Sequence, residues 1–294
     1  MIYVQLCTYT IVVQHINKRM KYLIIIGFLI LNSGINLNAQ TAPDSLKPKI
    51  KMVKEVLYKP ENGQLKKREN LFDSNISSYK IYDKNEKVIE YGKYKKDGTN
   101  YEKTFYTRDE KGVAQKTIKK NSSDELKTYW TSHYDSNNNL IEVKTYNSQN
   151  KLTNIQLNKY DENGNNIEML IKKPESKNGW KYVYNYNFDN QKIEQLRYKP
   201  DGSLKDKRTY SYDEDGNENL QVKFNPDGGF TKFVSEYDEM NNMTVQNWFN
   251  EQDEQKHQTS FEYVYDKNGN WTSKRRSSNG ELGMVYERLI EYYE

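Results

Sequence analysis

The chain is 294 residues long, with 45 Lys and Arg against 41 Asp and Glu, 29% charged residues and a mean hydropathy of −1.08. So polar a chain excludes a helical membrane protein of several spans, and its interleaved signs leave no patch where counterion release could drive nucleic-acid binding. Leu, Ile and Val are too sparse for a compact two-layer globule, whereas 26 Tyr against 9 Phe and 4 Trp suit a thin core whose hydroxyls reach water.

Residues 1–39 differ from the rest. Lys18, Arg19 and Lys21 lead an apolar run from Tyr22 to Leu31, and Leu37-Asn38-Ala39 closes the segment. This pattern reads as a secretory signal peptide cut near Ala39-Gln40, with Met20 as the natural start and residues 1–19 as a mis-assigned upstream stretch. The run is too short to span a bilayer comfortably. Cys7, the sole cysteine, leaves with it, so the mature chain has no disulfide and no lipoprotein-anchoring thiol, and 42 basic residues face 41 acidic ones. The expected location is secreted or periplasmic, with no membrane span after cleavage. A linker over 40–49, carrying Pro43 and Pro48, leads to a single repeat domain over 50–294.

The domain repeats one phrase. Tyr160-Asp161-Glu162-Asn163-Gly164-Asn165 returns as Tyr212-Asp213-Glu214-Asp215-Gly216-Asn217 and as Tyr265-Asp266-Lys267-Asn268-Gly269-Asn270, with weaker copies at Tyr82, Tyr134, Tyr186 and Tyr237. Tyr134, Tyr160, Tyr186 and Tyr212 stand 26 residues apart, a spacing that marks a repeat architecture. Four residues past the tyrosines come Asn138, Gly164, Asn190, Gly216, Asn241 and Gly269, the residue types that enter a left-handed backbone most cheaply. Each phrase therefore predicts a hairpin loop, with the aspartate accepting backbone N–H groups inside the turn. Lys199-Pro200-Asp201-Gly202, Asn225-Pro226-Asp227-Gly228 and Lys59-Pro60-Glu61-Asn62-Gly63 mark a second turn half a period later. Between turns the residues alternate as strands do. The expected fold is all-β, an antiparallel β-meander of about eight two-strand repeats of ~26 residues, in an elongated or curled sheet. An outer-membrane barrel is disfavoured, because the charges scattered through these strands do not suit a lipid-facing wall.

Tyr160-Asp161, Tyr212-Asp213 and Tyr265-Asp266, each followed by a Gly-bearing turn, resemble the YD repeats of the RHS family. That resemblance implies a secreted or surface protein of antiparallel β-hairpins, which in large toxins coil into a shell around a cargo. The period here is longer than the usual YD unit, no RHS core segment or toxin domain follows, and the strands look too few to enclose a cargo. A weaker likeness, through Tyr198-Lys199-Pro200-Asp201-Gly202-Ser203-Leu204, is to MORN-like repeats.

Chemistry is sparse. The mature chain has His133 and His257, well separated, and no cysteine, so neither a zinc site nor a nucleophile–His–Asp set can be assembled. No cofactor, metal or catalytic residue is expected. Asp161, Asp213 and Asp266 already have turns to make, and their loops lack the distal glutamate of an oxygen-rich calcium loop. The cluster Lys274-Arg275-Arg276 reads as a solvated strand end. An aromatic stripe remains: Tyr182, Tyr184, Tyr186, Tyr210, Tyr212, Trp248, Phe261, Tyr263 and Tyr265. It is either the seam on which the sheet curls or a platform for a cell-surface glycan or envelope protein. The expected function is an exported, non-enzymatic binding or scaffold protein of the cell envelope. The alternatives are a secreted carbohydrate-active hydrolase using paired carboxylates and a toxin- or immunity-associated repeat protein.

Overall fold

Strands form where residues alternate between two turn signals. The computed structural model describes residues 47–60, 76–95, 99–110 and 112–294, so the segment read as a signal peptide and the turn at Glu61-Asn62-Gly63 lie outside the described residues. The first strands are β1 (Ile50–Tyr58), β2 (Ser78–Tyr82), β3 (Val88–Tyr94), β4 (Asn100–Arg108), β5 (Ala114–Asn121) and β6 (Leu126–Tyr134). The regular middle runs through β7 (Leu140–Asn147), β8 (Leu152–Tyr160), β9 (Asn166–Lys172), β10 (Gly179–Tyr186), β11 (Lys192–Tyr198) and β12 (Leu204–Tyr212). It continues as β13 (Glu218–Phe224), β14 (Phe230–Tyr237), β15 (Met243–Phe249), β16 (Gln255–Tyr265), β17 (Trp271–Ser278) and β18 (Glu281–Tyr292).

Each strand pairs antiparallel with the next, and β18 then pairs with β1 from Ile50↔Tyr292 to Tyr58↔Val285. The sheet is therefore a closed barrel of 18 strands, which corrects the elongated or curled open sheet of about eight repeats expected from the sequence. It also corrects the inference that the strands are too few to surround a space. Alternation and turn chemistry specify which strands are neighbours along the chain, but not whether the two edge strands meet. That depends on twist summed over every strand.

The turns follow from side-chain chemistry. Asp161 Oδ1 accepts the backbone N–H of Asn163 at 3.0 Å and of Asn165 at 2.8 Å, and Asp213 does the same with Asp215 and Asn217. Asn187 takes the aspartate's place in the Tyr186 hairpin. Gly164, Gly216 and Gly269 have φ of 81°, 83° and 81°, and Asn138, Asn190 and Asn241 occupy the same left-handed region. The adjacent tyrosine then reaches back one hairpin. The hydroxyls of Tyr134, Tyr160, Tyr186, Tyr212 and Tyr237 donate to the carbonyls of Ala114, Leu140, Asn166, Lys192 and Glu218 at 2.8–2.9 Å, and in the last such unit Tyr263, two residues before the turn tyrosine, donates to Met243 at 3.1 Å. Each unit is thus pinned to its predecessor by a bond outside the strand ladder.

Register puts these tyrosines on one face together with Asp206, Ser235, Thr259, Asn158, Thr104 and Glu102, polar side chains that are nonetheless buried. This is the inner face. Register steps away from the Tyr-Asp end with each successive strand, and for L-residues in a barrel of right-handed coil that drift turns the tyrosines inward. A barrel of so many strands is too wide for side chains to fill, about 30 Å across by strand spacing, so its inner wall faces a lumen. Trp180 and Trp248, both on that wall, accordingly keep 38% and 41% exposure.

The outer face carries ion pairs. Lys159–Glu168 at 2.8 Å, Lys181–Glu168 at 3.6 Å and Lys207–Glu194 join neighbouring middle strands, and Lys144–Glu142 at 2.7 Å lies along β7. A lipid-facing barrel needs an apolar band at that height. No helix among the described residues is long and apolar enough to cross a membrane. At the closing seam Arg288 Nε donates to Glu55 Oε2 at 2.9 Å, and the Tyr293 hydroxyl donates to the Tyr82 carbonyl at 2.6 Å. Val56 and Val285, neighbours across the seam, are the most completely buried apolar side chains.

Two outcomes are expected. Tyr160→Phe, Tyr186→Phe and Tyr212→Phe should each lower unfolding free energy by about 1 kcal/mol, read from urea denaturation; a triple variant that unfolds at the wild-type midpoint would show that the hydroxyls hold nothing. Hydrogen bonds hold the carboxyls low: the Asn139 backbone for Asp135, the Asn165 side chain for Asp161, the Asn217 backbone for Asp213. With folded pKa values depressed, their stabilisation is full above the ordinary carboxylate range and is lost as pH falls through it. The urea midpoint should drop between pH 6 and pH 3, and less steeply in an Asp135→Asn/Asp161→Asn/Asp213→Asn variant; parallel curves would refute the linkage.

Candidate functional site on the inner wall

The strands β10, β11, β12 and β13 bring together side chains far apart in sequence. Register aligns Tyr182 with Arg197 and Asp206, and Tyr184 with Gln195 and Arg208. Tyr210 follows in line with Gln221 and Phe233. The Arg197 guanidinium lies 5.8 Å from the Trp180 ring centroid and is ion-paired through Nη2 with Asp206 Oδ2. Arg208 Nη1 donates to Gln221 Oε1 at 3.2 Å. The Lys192 ammonium sits 4.4 Å from the centroid of Tyr210. Rings, charged forks and planar amides therefore share one wall, a combination that can stack on an apolar ligand face and bond its polar edge.

Desolvation dominates the electrostatics. Burial pushes the Tyr184 hydroxyl up to about 12, with neighbouring tyrosines adding to it, and burial also raises Tyr210. The Glu218 carboxyl is raised by burial against the opposing pull of Lys192 and Arg208. Asp206 is 2% exposed, and its Oδ1 is buried without a hydrogen-bond partner, as are the Nε atoms of Arg197 and Arg208.

All nine aromatics singled out from the sequence fall on the inner face, in two groups. Tyr182, Tyr184 and Tyr186 stand on β10 with Tyr210 and Tyr212 on β12; Trp248, Phe261, Tyr263 and Tyr265 stand on β15 and β16. The structure also divides their labour. Tyr186, Tyr212 and Tyr263 spend their hydroxyls on the hairpin ties, and the Tyr265 hydroxyl donates to Asp238 Oδ2 at 2.5 Å. Tyr182, Tyr184 and Trp248 lie clear of those ties. Sequence reasoning missed Trp180, Arg197, Asp206 and Arg208, although Asp206 and Arg208 share the even-numbered face of β12 with Tyr210 and Tyr212, a signal that could have found them.

His133 lies on a strand 3.3 Å from Glu142, and His257 faces Ser278 Oγ at 3.1 Å. Among the described residues no group of three or more His, Cys, Asp or Glu could hold a metal ion. The Asp161 oxygens already accept the backbone and side-chain N–H groups of Asn165. Lys274 and Arg276 stand on the inner face of β17 and Arg275 on the outer, which divides a cluster expected to be a solvated strand end.

No family profile matches the chain, and no curated protein matches it. Among solved structures the barrel is similar to a porin-like protein from Bacteroides uniformis, with 11% identity and a TM-score of 0.41 over 85% of this chain and 99% of that one. A porin-like protein from Bacteroides vulgatus gives 10% identity and a TM-score of 0.32 over 84% and 99%. The Photorhabdus luminescens Tc holotoxin pore also gives 10% and 0.32, over 82% of this chain but 17% of its own. Scores this low are too weak to argue from, and the chain stands as an all-β repeat barrel on its own geometry.

Removing one partner of the buried Arg197–Asp206 pair should be costly. Asp206→Ala is expected to lower unfolding free energy by about 2–3 kcal/mol, the usual figure reduced because Arg197 is partly exposed, and an Arg197→Met/Asp206→Leu double variant should recover most of it. Denaturation curves that coincide for Asp206→Ala and wild type would show that the pair does not support the wall.

Proposed function

We propose that this is an exported, non-enzymatic binding barrel of the cell envelope whose inner wall takes carbohydrate. The observation that carries the reading is that large rings, Trp180 and Trp248 above all, stand exposed on the inner wall instead of being buried in a core. Sugar rings stack their C–H faces on such surfaces, while their hydroxyls need amides, carboxylates and guanidinium forks of the kind Gln195, Arg197, Arg208 and Gln221 supply. The signal-peptide pattern of residues 1–39 supports export.

The carboxylates of this wall do not form a hydrolytic pair. Glu218, the carboxyl raised by burial, aligns with Tyr212 at one end of β12, and Asp206 lies six positions along that strand. Strand rise separates them by about 20 Å, where a glycosidase needs roughly 5–10 Å. Wall and leader together favour binding over hydrolysis.

The barrel should bind one or more carbohydrates on a glycan array. Trp180→Ala/Tyr184→Ala should weaken binding at least about tenfold, the equivalent of losing ring contacts worth ~1.4 kcal/mol, with the unfolding midpoint little changed, while Tyr184→Phe should bind as wild type. Silence across the array, or a double variant that binds normally, would sink the reading.

A further inference from the structure

A second feature lies at the closing seam, away from the β10–β13 wall. A cavity of about 470 Å³ opens there, lined by the inner faces of β1, β2, β3, β17 and β18 and bounded by Met240 and Asn270 from two Tyr-Asp turns. That volume is within the range of small-ligand pockets, about 300–1,000 Å³. One side of the cavity carries a stack. The Arg288 guanidinium lies 3.3 Å from the Trp271 ring centroid and is held in place by its hydrogen bond to Glu55. Trp271 is braced edge-on by Tyr263, 6.2 Å away between centroids. Lys80 and Tyr91 also line the cavity.

Charge is strongly one-sided here. Among the described residues the inner wall around the seam carries Lys80, Lys93, Lys119, Lys274, Arg276 and Arg288 against Glu55 and Glu102, while the turn carboxylates Asp238 and Asp266 beside the cavity accept the Tyr265 and Tyr292 hydroxyls. Glu102 is already surrounded by Lys119 at 3.2 Å, Lys127 at 3.7 Å and Lys93 at 3.9 Å, and Glu55 is engaged by Arg288. The Lys274 ammonium lies among rings, 4.3 Å from the Tyr286 centroid and 5.1 Å from that of Trp271. Burial pulls its pKa down, with Arg288 and Arg276 adding to that and Glu55 opposing it. Cations held close together in a half-enclosed space beside an aromatic face are a site in want of an anion.

We infer that the seam cavity binds the carboxylate-bearing sugar of an acidic glycan, a uronate unit. Its ring lies against the Trp271–Arg288 stack and its carboxylate meets Lys80, while Lys274, on the far side of Trp271, adds to the positive field. The inference rests on the reading of the barrel as a carbohydrate binder and narrows it to acidic chains. A neutral sugar leaves the excess positive charge uncompensated, whereas a uronate supplies both the flat face and the missing charge.

Titration calorimetry on the full barrel with an α-1,4-linked oligogalacturonate, its fully methyl-esterified form and a sulfated oligosaccharide tests this. The free acid should bind at least tenfold more tightly than the ester, and more weakly as salt rises. Lys80→Gln/Lys274→Gln should cost the acid at least tenfold while leaving the ester and the urea midpoint unchanged; it carries the test because Arg288→Gln also breaks the seam contact with Glu55. Equal binding of acid and ester, or an acid affinity untouched by the double variant, overturns the inference and leaves carbohydrate binding standing. Binding of the sulfated chain alone also overturns it, since the site is assigned to a carboxylate. Failure of all three chains overturns the inference, and silence on the glycan array as well overturns the carbohydrate reading.

Discussion

Pairing of β1 with β18 is the constraint on which the rest of the molecule depends. Without it the sheet would have two faces in water and two raw edges, each a template for another chain. With it, one face becomes a wall that looks onto an enclosed space and the other becomes the protein's surface. Arg288 and Glu55 close that seam with a charge pair, and the cavity beside them exists only because the first and last strands meet.

The barrel is held with little apolar material. Among the described residues the buried hydrophobic side chains are Val53, Val56, Tyr79, Tyr210 and Val285, far fewer than a packed core would show. Backbone ladders carry most of the structure, and the tyrosine hydroxyls add a second bond between successive hairpins. A ring on the inner wall therefore need not serve as core. Tyr212 is half-buried and tied by its hydroxyl, whereas Trp180 and Trp248 keep large exposed faces. This difference separates rings that maintain the fold from rings that can meet a ligand.

Charge divides the two faces in the same way. Outside, lysines pair with glutamates across strands, as at Lys159–Glu168 and Lys207–Glu194, which suits a solvated surface. Inside, around the seam, cations outnumber carboxylates and share their space with aromatic rings. A chain nearly neutral in total can thus present a positive interior, because alternation along each strand sorts neighbouring residues to opposite sides.

Much of the local structure was legible in the residues. The spacing of Tyr134, Tyr160, Tyr186 and Tyr212 marked the hairpins, and Gly164, Gly216, Asn138 and Asn190 marked the left-handed positions, because a backbone at positive φ accepts few other residues. Alternation also placed Tyr182 and Tyr184 on one face. The Arg197–Asp206 pair and the Trp271–Arg288 stack were not legible, since their partners lie on adjacent strands whose register is set by a bulge at each turn. Closure was the least visible of all: no single residue encodes it, and it follows from small twists and register steps accumulated around the whole ring. The sequence by itself determined turns, strands and the residue types on each face. Only the tertiary structure decided which face is the inside, because inside and outside have no meaning until the two ends of a sheet are joined.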